Sequence, residues 1–180
     1  MVPPTEPPAD TIERLRHSLV VSCQASEGEP LCAPEHICAL ALSAINGGAS
    51  GLRLEGIENV RYVRAHTNLP IVGLTKAKGV PETERLSAVY ITPTFADAQA
   101  LAEAGSDIIA LDCTNRRRPD GSTISEIINR IHSVLEKPVW ADVSTYEEGV
   151  AAANAGADLI STTLSGYTEE TALKDSGPDL

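Results

Sequence analysis

Short apolar runs alternate with longer amphipathic stretches along this chain. The runs lie at residues 19–23, 51–54, 71–75, 108–111, 139–143 and 159–162. Most read as continuous apolar segments, as strands buried on both faces of a parallel sheet do. Between them the apolar residues return with a helical period. Helices are predicted over residues 34–45, 57–65, 95–104 and 122–135, with a short leading helix over 11–17. Phe95, Ala98, Leu101 and Ala102 follow the period, and Ile124, Ile127, Ile128, Ile131 and Val134 form one stripe. A further helix starts at Ser144 or Thr145, with Glu147 and Glu148 in its first turn, and Gly156 closes it. Residues 89–93 read as a short extra strand or an extended loop.

Two segments repeat one pattern. Ala104-Gly105-Ser106-Asp107-Ile108-Ile109 and Ala155-Gly156-Ala157-Asp158-Leu159-Ile160 each stop a helix and start a strand at once. A fold built from repeated strand–helix units produces this. The predicted class is therefore α/β with a parallel sheet of about six such units. Two architectures fit: a (β/α)8 TIM barrel that is incomplete here, since a barrel needs eight strands, or an open flavodoxin-like sheet. Residues 1–10 are Pro-rich and acidic and read as a flexible tail. Residues 11–180 read as one domain, a barrel lacking its last strands.

Composition narrows the partners. Aromatic residues make up only 3% of the 180, so aliphatic side chains fill the core. The net charge is −11, from 14 basic and 25 acidic residues, which disfavours nucleic acid as a partner. No run approaches the ~18 apolar residues of a membrane span. The first residues lack a signal-peptide pattern, and a cytoplasmic location is expected. Cys23, Cys32, Cys38 and Cys113 match no zinc or redox spacing. Cys32 and His36 can share a helical face, but Cys38 points elsewhere, so no metal site is expected.

The polar residues that close the apolar runs carry the chemistry. Gln24, Lys76, Asp112, Asp142, Thr162 and Thr163 stand at or near strand ends, and Arg53 lies within one strand. In α/β folds, chemistry sits at the C-terminal ends of strands. Lys76 can serve as a proton-transfer base, a Schiff-base nucleophile or an anion clamp, or be an ordinary lysine at a sheet edge. Burial there would lower its pKa. Arg53 and Asp142 would share its rim, holding substrate or forming a structural ion pair. Gln24 can both donate and accept. Arg116-Arg117-Arg118 reads either as a solvated loop or as an anion or interface site, with Asp112 as a partner nearby.

A series of motifs then runs in order from about residue 18 to the end. It comprises Val21-Ser22-Cys23-Gln24-Ala25, Gly51-Leu52-Arg53, Pro70-Ile71-Val72-Gly73-Leu74-Thr75-Lys76 and Tyr90-Ile91-Thr92-Pro93-Thr94. It continues with Ala110-Leu111-Asp112-Cys113-Thr114, Arg116-Arg117-Arg118-Pro119-Asp120-Gly121, Ala141-Asp142-Val143-Ser144-Thr145 and Ser161-Thr162-Thr163-Leu164-Ser165-Gly166-Tyr167-Thr168. The sequence resembles the N-acetylmannosamine-6-phosphate 2-epimerases of bacterial sialic acid and amino-sugar catabolism. The resemblance implies a (β/α)8 barrel that interconverts N-acetylmannosamine 6-phosphate and N-acetylglucosamine 6-phosphate. It implies Lys76 as the catalytic base, with Gln24, Arg53 and Asp142 holding substrate. It also implies a small sugar phosphate as the partner, with no cofactor, metal, nucleic acid or membrane. The family continues with a Glu-Gly-Arg strand and a Gly-Gly strand that bring an acid and most of the phosphate site. Neither is present in these 180 residues, so a C-terminally truncated barrel of weak or no activity is expected. The alternatives are a Schiff-base aldolase acting on a sugar phosphate, or an inactive fragment that associates with a partner. Open sheet edges would favour a homodimer.

Overall fold

The structure, a computed structural model, describes residues 8–172. Its strands are β1 (Val20–Cys23), β2 (Gly51–Glu55), β3 (Ile71–Leu74), β4 (Ile108–Asp112), β5 (Val139–Asp142) and β6 (Leu159–Ser161). Between them lie α2 (Pro34–Asn46), α3 (Ile57–Arg64), α4 (Phe95–Ala104), α5 (Ile124–Arg130) and α6 (Tyr146–Asn154), and α1 (Pro8–Leu15) precedes β1. The strands pair in the order β1-β2-β3-β4-β5-β6, and every neighbouring pair is parallel. A doubly wound sheet reverses its strand order at a switch point. No reversal occurs here, so the flavodoxin-like alternative is set aside. The sheet curls as part of a TIM barrel. Of the tail expected over residues 1–10, residues 1–7 lie outside the described residues, and Pro8–Asp10 open α1.

Strand alternation gives the sheet two faces with separate cores. Cys23, Leu52, Leu54, Ile71, Ile109, Leu111, Val139 and Ala141 point outward and pack with Ile37, Val60, Leu101, Ile127 and Ile128 of the helices. Val72, Leu74, Ile108 and Ala110 point inward, where Ile91 and Leu164 join them. Leu15 of α1 packs on this inner cluster. It lies so near the start of β2 that a Cβ on Gly51 would come 2.7 Å from it. The inner space is therefore filled from below by α1, and its C-terminal end is left to polar residues. The outer fit is as tight at Gly73, where a Cβ would lie 2.0 Å from Ser106 Oγ.

Helix starts follow local chemistry. Thr94 with Asp97, Thr123 with Glu126 and Thr145 with Glu148 each form a reciprocal capping box, and caps of this kind contribute ~1 kcal/mol each. The third is the box expected at Ser144 or Thr145. The helix expected over residues 122–135 begins at Ile124, because Thr123 is its cap, and ends in a π-helical turn, Ile131–Leu135.

The repeated helix-stop motif does the same job twice. Gly105 and Gly156 take φ of 105° and 101°, a left-handed conformation that glycine adopts without strain. Asp107 Oδ2 accepts from the Ile71 N–H at 2.9 Å, and Asp158 Oδ2 accepts from the Val139 N–H at 2.8 Å. Each aspartate thus ties the start of one strand to the strand before it.

Residues 89–93 do not make a strand. They contribute a single antiparallel bridge, between Lys76 and Ile91. Thr92 has a φ of 45°, which breaks the extended run, and Pro93 has no N–H to continue a ladder.

Candidate active site

The inward positions at the C-terminal end of the sheet are polar. Register places Ser22 beside Arg53, and Asp112 beside Asp142 beside Ser161. Glu55 closes β2 on the same face, and Gln24, Lys76 and Thr163 extend the alternation beyond the strand ends. A cavity of about 360 Å³ opens here, lined by Gln24, Arg53, Lys76, Arg116, Thr163 and Tyr167 among others. A second cavity of about 1120 Å³ lies toward the α2 and α3 side and includes Glu55, Lys78 and Arg117. Lys76 and Tyr90 line both.

The structure brings together the four residues singled out in the sequence. Gln24, Arg53 and Lys76 line the smaller cavity, and Asp142 lies fully buried beneath it. Arg53 donates to Asp142 Oδ2 at 2.6 Å, and Thr163 Oγ1 donates to Asp142 Oδ1 at 2.6 Å. Both carboxylate oxygens are thereby engaged. Burial pushes the Asp142 carboxyl up to about 6, and Asp112 nearby adds to the rise, while Arg53 and Thr163 pull it back. Arg53 Nε is buried without a hydrogen-bond partner. Gln24 is held by Ser22 Oγ, to which its Nε2 donates at 2.6 Å.

Lys76 is half-buried, two residues past the end of β3. Its ammonium has no ion-pair partner among the described residues, whereas Arg53 and Arg116 are each bound to a buried carboxylate. Glu55 stands near it. Burial raises the Glu55 carboxyl, and the charges of Lys76 and Lys78 offset part of that rise. Sequence reasoning passed over Glu55, although it lies two residues beyond Arg53 on one strand and so shares its face.

The reading of Arg116-Arg117-Arg118 as a solvated loop holds only for the middle residue. Arg117 is exposed. Arg116 donates to Asp112 Oδ2 at 2.7 Å and to Thr114 Oγ1 at 2.9 Å, and its side chain is only 8% exposed. Arg118 is 3% exposed and donates to the carbonyls of Thr92, Pro93 and Asp112. The i, i+4 spacing of Asp112 and Arg116 was the legible signal for the first of these pairs.

A curled parallel sheet with its polar residues at the C-terminal strand ends defines the class: a (β/α)-barrel architecture with an enzyme-like rim. The family model described as "NanE: Putative N-acetylmannosamine-6-phosphate epimerase" matches residues 37–180. A Synechococcus elongatus protein described as "Putative N-acetylmannosamine-6-phosphate 2-epimerase" is 50% identical over 161 residues, covering 89% of this chain and 67% of that protein. A Thermosynechococcus vestitus protein of the same description is 48% identical over 159 residues, covering 88% and 67%. The solved N-acetylmannosamine-6-phosphate 2-epimerase from Clostridium perfringens superposes with a TM-score of 0.81 at 36% identity, again covering 89% of this chain and 67% of that one. The chain belongs to the N-acetylmannosamine-6-phosphate 2-epimerase family and spans about two thirds of the length of these relatives.

Proposed function

We propose that this chain acts on N-acetylmannosamine 6-phosphate, interconverting it with N-acetylglucosamine 6-phosphate in amino-sugar and sialic acid catabolism in the cytoplasm. Such an enzyme is an N-acylglucosamine-6-phosphate 2-epimerase. The observation that carries the reading is Lys76, unpaired among the described residues and facing a buried Arg53–Asp142 pair across one cavity.

The chemistry follows from those groups. Inverting C2 of an aldose requires the open-chain aldehyde, whose carbonyl acidifies the neighbouring proton. The Lys76 Nζ lone pair takes that proton, and the C–H electron pair moves into an enolate. Arg53 or Gln24 donates to the developing oxyanion, where fixed donors act most strongly. A solvent proton then adds to C2 of the enolate on the opposite face, and Lys76 releases the proton it took to solvent. Asp142 holds Arg53 in place at the wall of the cavity.

Solvent deuterium incorporation at C2 of the sugar phosphate tests this. A positioned base contributes about 100- to 10,000-fold, so Lys76→Ala should lose at least the lower figure while the chain stays folded. Unchanged exchange in Lys76→Ala would refute the role. Borohydride should trap no substrate adduct on Lys76, and a trapped adduct would point to Schiff-base chemistry instead. Because the chain spans about two thirds of its relatives, its rate belongs beside that of the Synechococcus elongatus protein in one assay. We also propose association of two copies through the outer strands β1 and β6, near which Leu19 and Ile160 are exposed. Light scattering at the mass of one chain would exclude it.

A further inference from the structure

Of the motifs singled out in the sequence, the arginine run is the one that the proposed reaction does not use. Its third member lies against the segment that holds Lys76. On each side of Lys76 the backbone is bonded to residues 90–92. The Ala77 N–H donates to the Tyr90 carbonyl at 2.8 Å, and the Thr92 N–H donates to the Thr75 carbonyl at 2.9 Å. The Thr75 N–H donates to Thr92 Oγ1 at 3.3 Å. Lys76 itself bridges Ile91. Residues 90–93 are thus a strap along the base, and the strap's own conformation decides where that base stands.

The strap contains a residue under strain. Thr92 is fully buried with a φ of 45°. A β-branched residue in the left-handed region is an outlier. Pro93 follows it, and a residue before proline is driven toward extended conformations. A conformation so disfavoured persists only where the surroundings over-determine it.

Arg118 supplies the determination. One terminal nitrogen donates to the Thr92 carbonyl at 3.3 Å and to the Pro93 carbonyl at 3.0 Å, and the other donates to the carbonyl of Asp112. The planar fork therefore pins both carbonyls flanking the Thr92–Pro93 bond to the end of β4. The strap's other end is fixed there too: Asp112 Oδ2 accepts from the Tyr90 N–H at 2.8 Å, and the Asp112 N–H donates to the Ile91 carbonyl at 3.0 Å. Arg118 has no ion-pair partner among the described residues, and burial lowers its pKa. Its fork is spent on backbone carbonyls, and Arg117 beside it is exposed.

We infer that Arg118 is a positioning residue for Lys76, acting by holding Thr92 in its left-handed conformation. The assignment rests on the reading of Lys76 as the base. The test uses the whole 180-residue chain, with Arg118→Met, Thr92→Gly and the double variant. Two readouts are taken: the NMR signals of the Lys76 side chain with the exchange of the amides of Lys76, Ala77 and Thr92, and deuterium incorporation at C2. In Arg118→Met the Lys76 signals should shift and the three amides should exchange faster. The C2 exchange rate should fall by up to about 100-fold, the scale set by a misplacement of roughly 1 Å, with KM little changed. Glycine accepts positive φ without strain. Adding Thr92→Gly should therefore return both the signals and the rate part of the way toward wild type, short of the Thr75 N–H to Thr92 Oγ1 bond that glycine lacks. Loss of packing alone would not be repaired by a glycine at a second site. Lys76 signals that do not move in Arg118→Met, or that Thr92→Gly does not restore in part, would overturn the inference. Should Arg118→Met fail to fold, Arg118→Lys keeps the charge, loses the fork and carries the same two outcomes. Coupled Lys76 signals with no C2 exchange in any variant, wild type included, would uphold the positioning and sink the epimerase reading.

Discussion

The two ends of the sheet use aspartate in opposite ways. At the N-terminal ends, Asp107 and Asp158 occupy the same place in a repeated motif and do the same work. Each accepts from the first N–H of a strand and from one basic side chain, Arg64 for Asp107 and His132 for Asp158. At the C-terminal ends, Asp112 and Asp142 sit beside one another in register, yet their partners differ. Asp112 holds Arg116, Thr114 and the strap, whereas Asp142 holds Arg53 and Thr163. The N-terminal end is uniform at these two places, where it only has to join strands. The other end differs because each strand there delivers a different group to a shared cavity, the division expected of a barrel.

The largest effect on stability should come from breaking the C-terminal pair on one side. Arg53→Met leaves Asp142, fully buried, without its cation. Removing one partner of a buried pair costs about 3–5 kcal/mol. The pH dependence identifies the cause. The folded pKa of Asp142 is already raised, to about 6, by burial. A raised folded pKa means that the folded state binds the proton more tightly, so stability is lost as pH rises toward and through that value. With Arg53 gone that loss deepens, because the ionised form has no cation. The penalty of Arg53→Met should therefore be larger at pH 7.5 than at pH 5, where a neutral Asp142 needs no cation. Denaturant unfolding at the two pH values checks this. An equal penalty at both would show that the arginine contributes only packing.

At the other end, Asp107→Ala and Asp158→Ala should behave alike. Each leaves a strand-starting N–H without its acceptor, and an unsatisfied donor costs about 1–3 kcal/mol. Both losses should appear in denaturant midpoints, with the C2 exchange rate of the folded protein unchanged. If either variant lost exchange activity while remaining folded, the division of labour between the two ends would fail.

How much of this was legible in the sequence follows from where each signal is local. The strands could be read because parallel strands bury both faces, and the polar strand ends because they interrupt those runs. Gln24, Arg53, Lys76 and Asp142 were found that way, and the structure brings them together. Residues 89–93 stayed open between a short strand and an extended loop because Val89, Tyr90 and Ile91 look like a strand while Pro93 argues against one, and the positive φ of Thr92 and its contact with Arg118 are not local signals. Three consecutive arginines suggest solvent for the same reason: two of the three carbonyls that receive Arg118 come from 25 and 26 residues away. Glu55 was legible from strand period alone, but the apolar run ends at Leu54, one residue before it.

The smallest effect sharpens the comparison most, because it separates the site's electrostatics from its packing. Thr163 donates to the Asp142 oxygen that Arg53 does not occupy, and this hydrogen bond favours the ionised carboxylate. Thr163→Val keeps the shape and removes the donor, so the Asp142 pKa should rise further. If C2 exchange requires ionised Asp142 to hold Arg53, the acid limb of its pH profile should move to higher pH. The groups facing Asp142 are Arg53 from β2, Asp112 from β4, the Cys113 thiol and Thr163 itself. Burial holds the Cys113 thiol up at about 12, so it does not titrate in this range. The loss should be under about tenfold at pH 6, equivalent to less than 1.4 kcal/mol, and should vanish by pH 8. Thr163→Ser, which restores the hydroxyl without the methyl, should return the limb to its wild-type position. An acid limb that stays in place in Thr163→Val would mean that Asp142 needs only Arg53, and that the second carboxylate oxygen is held for packing alone.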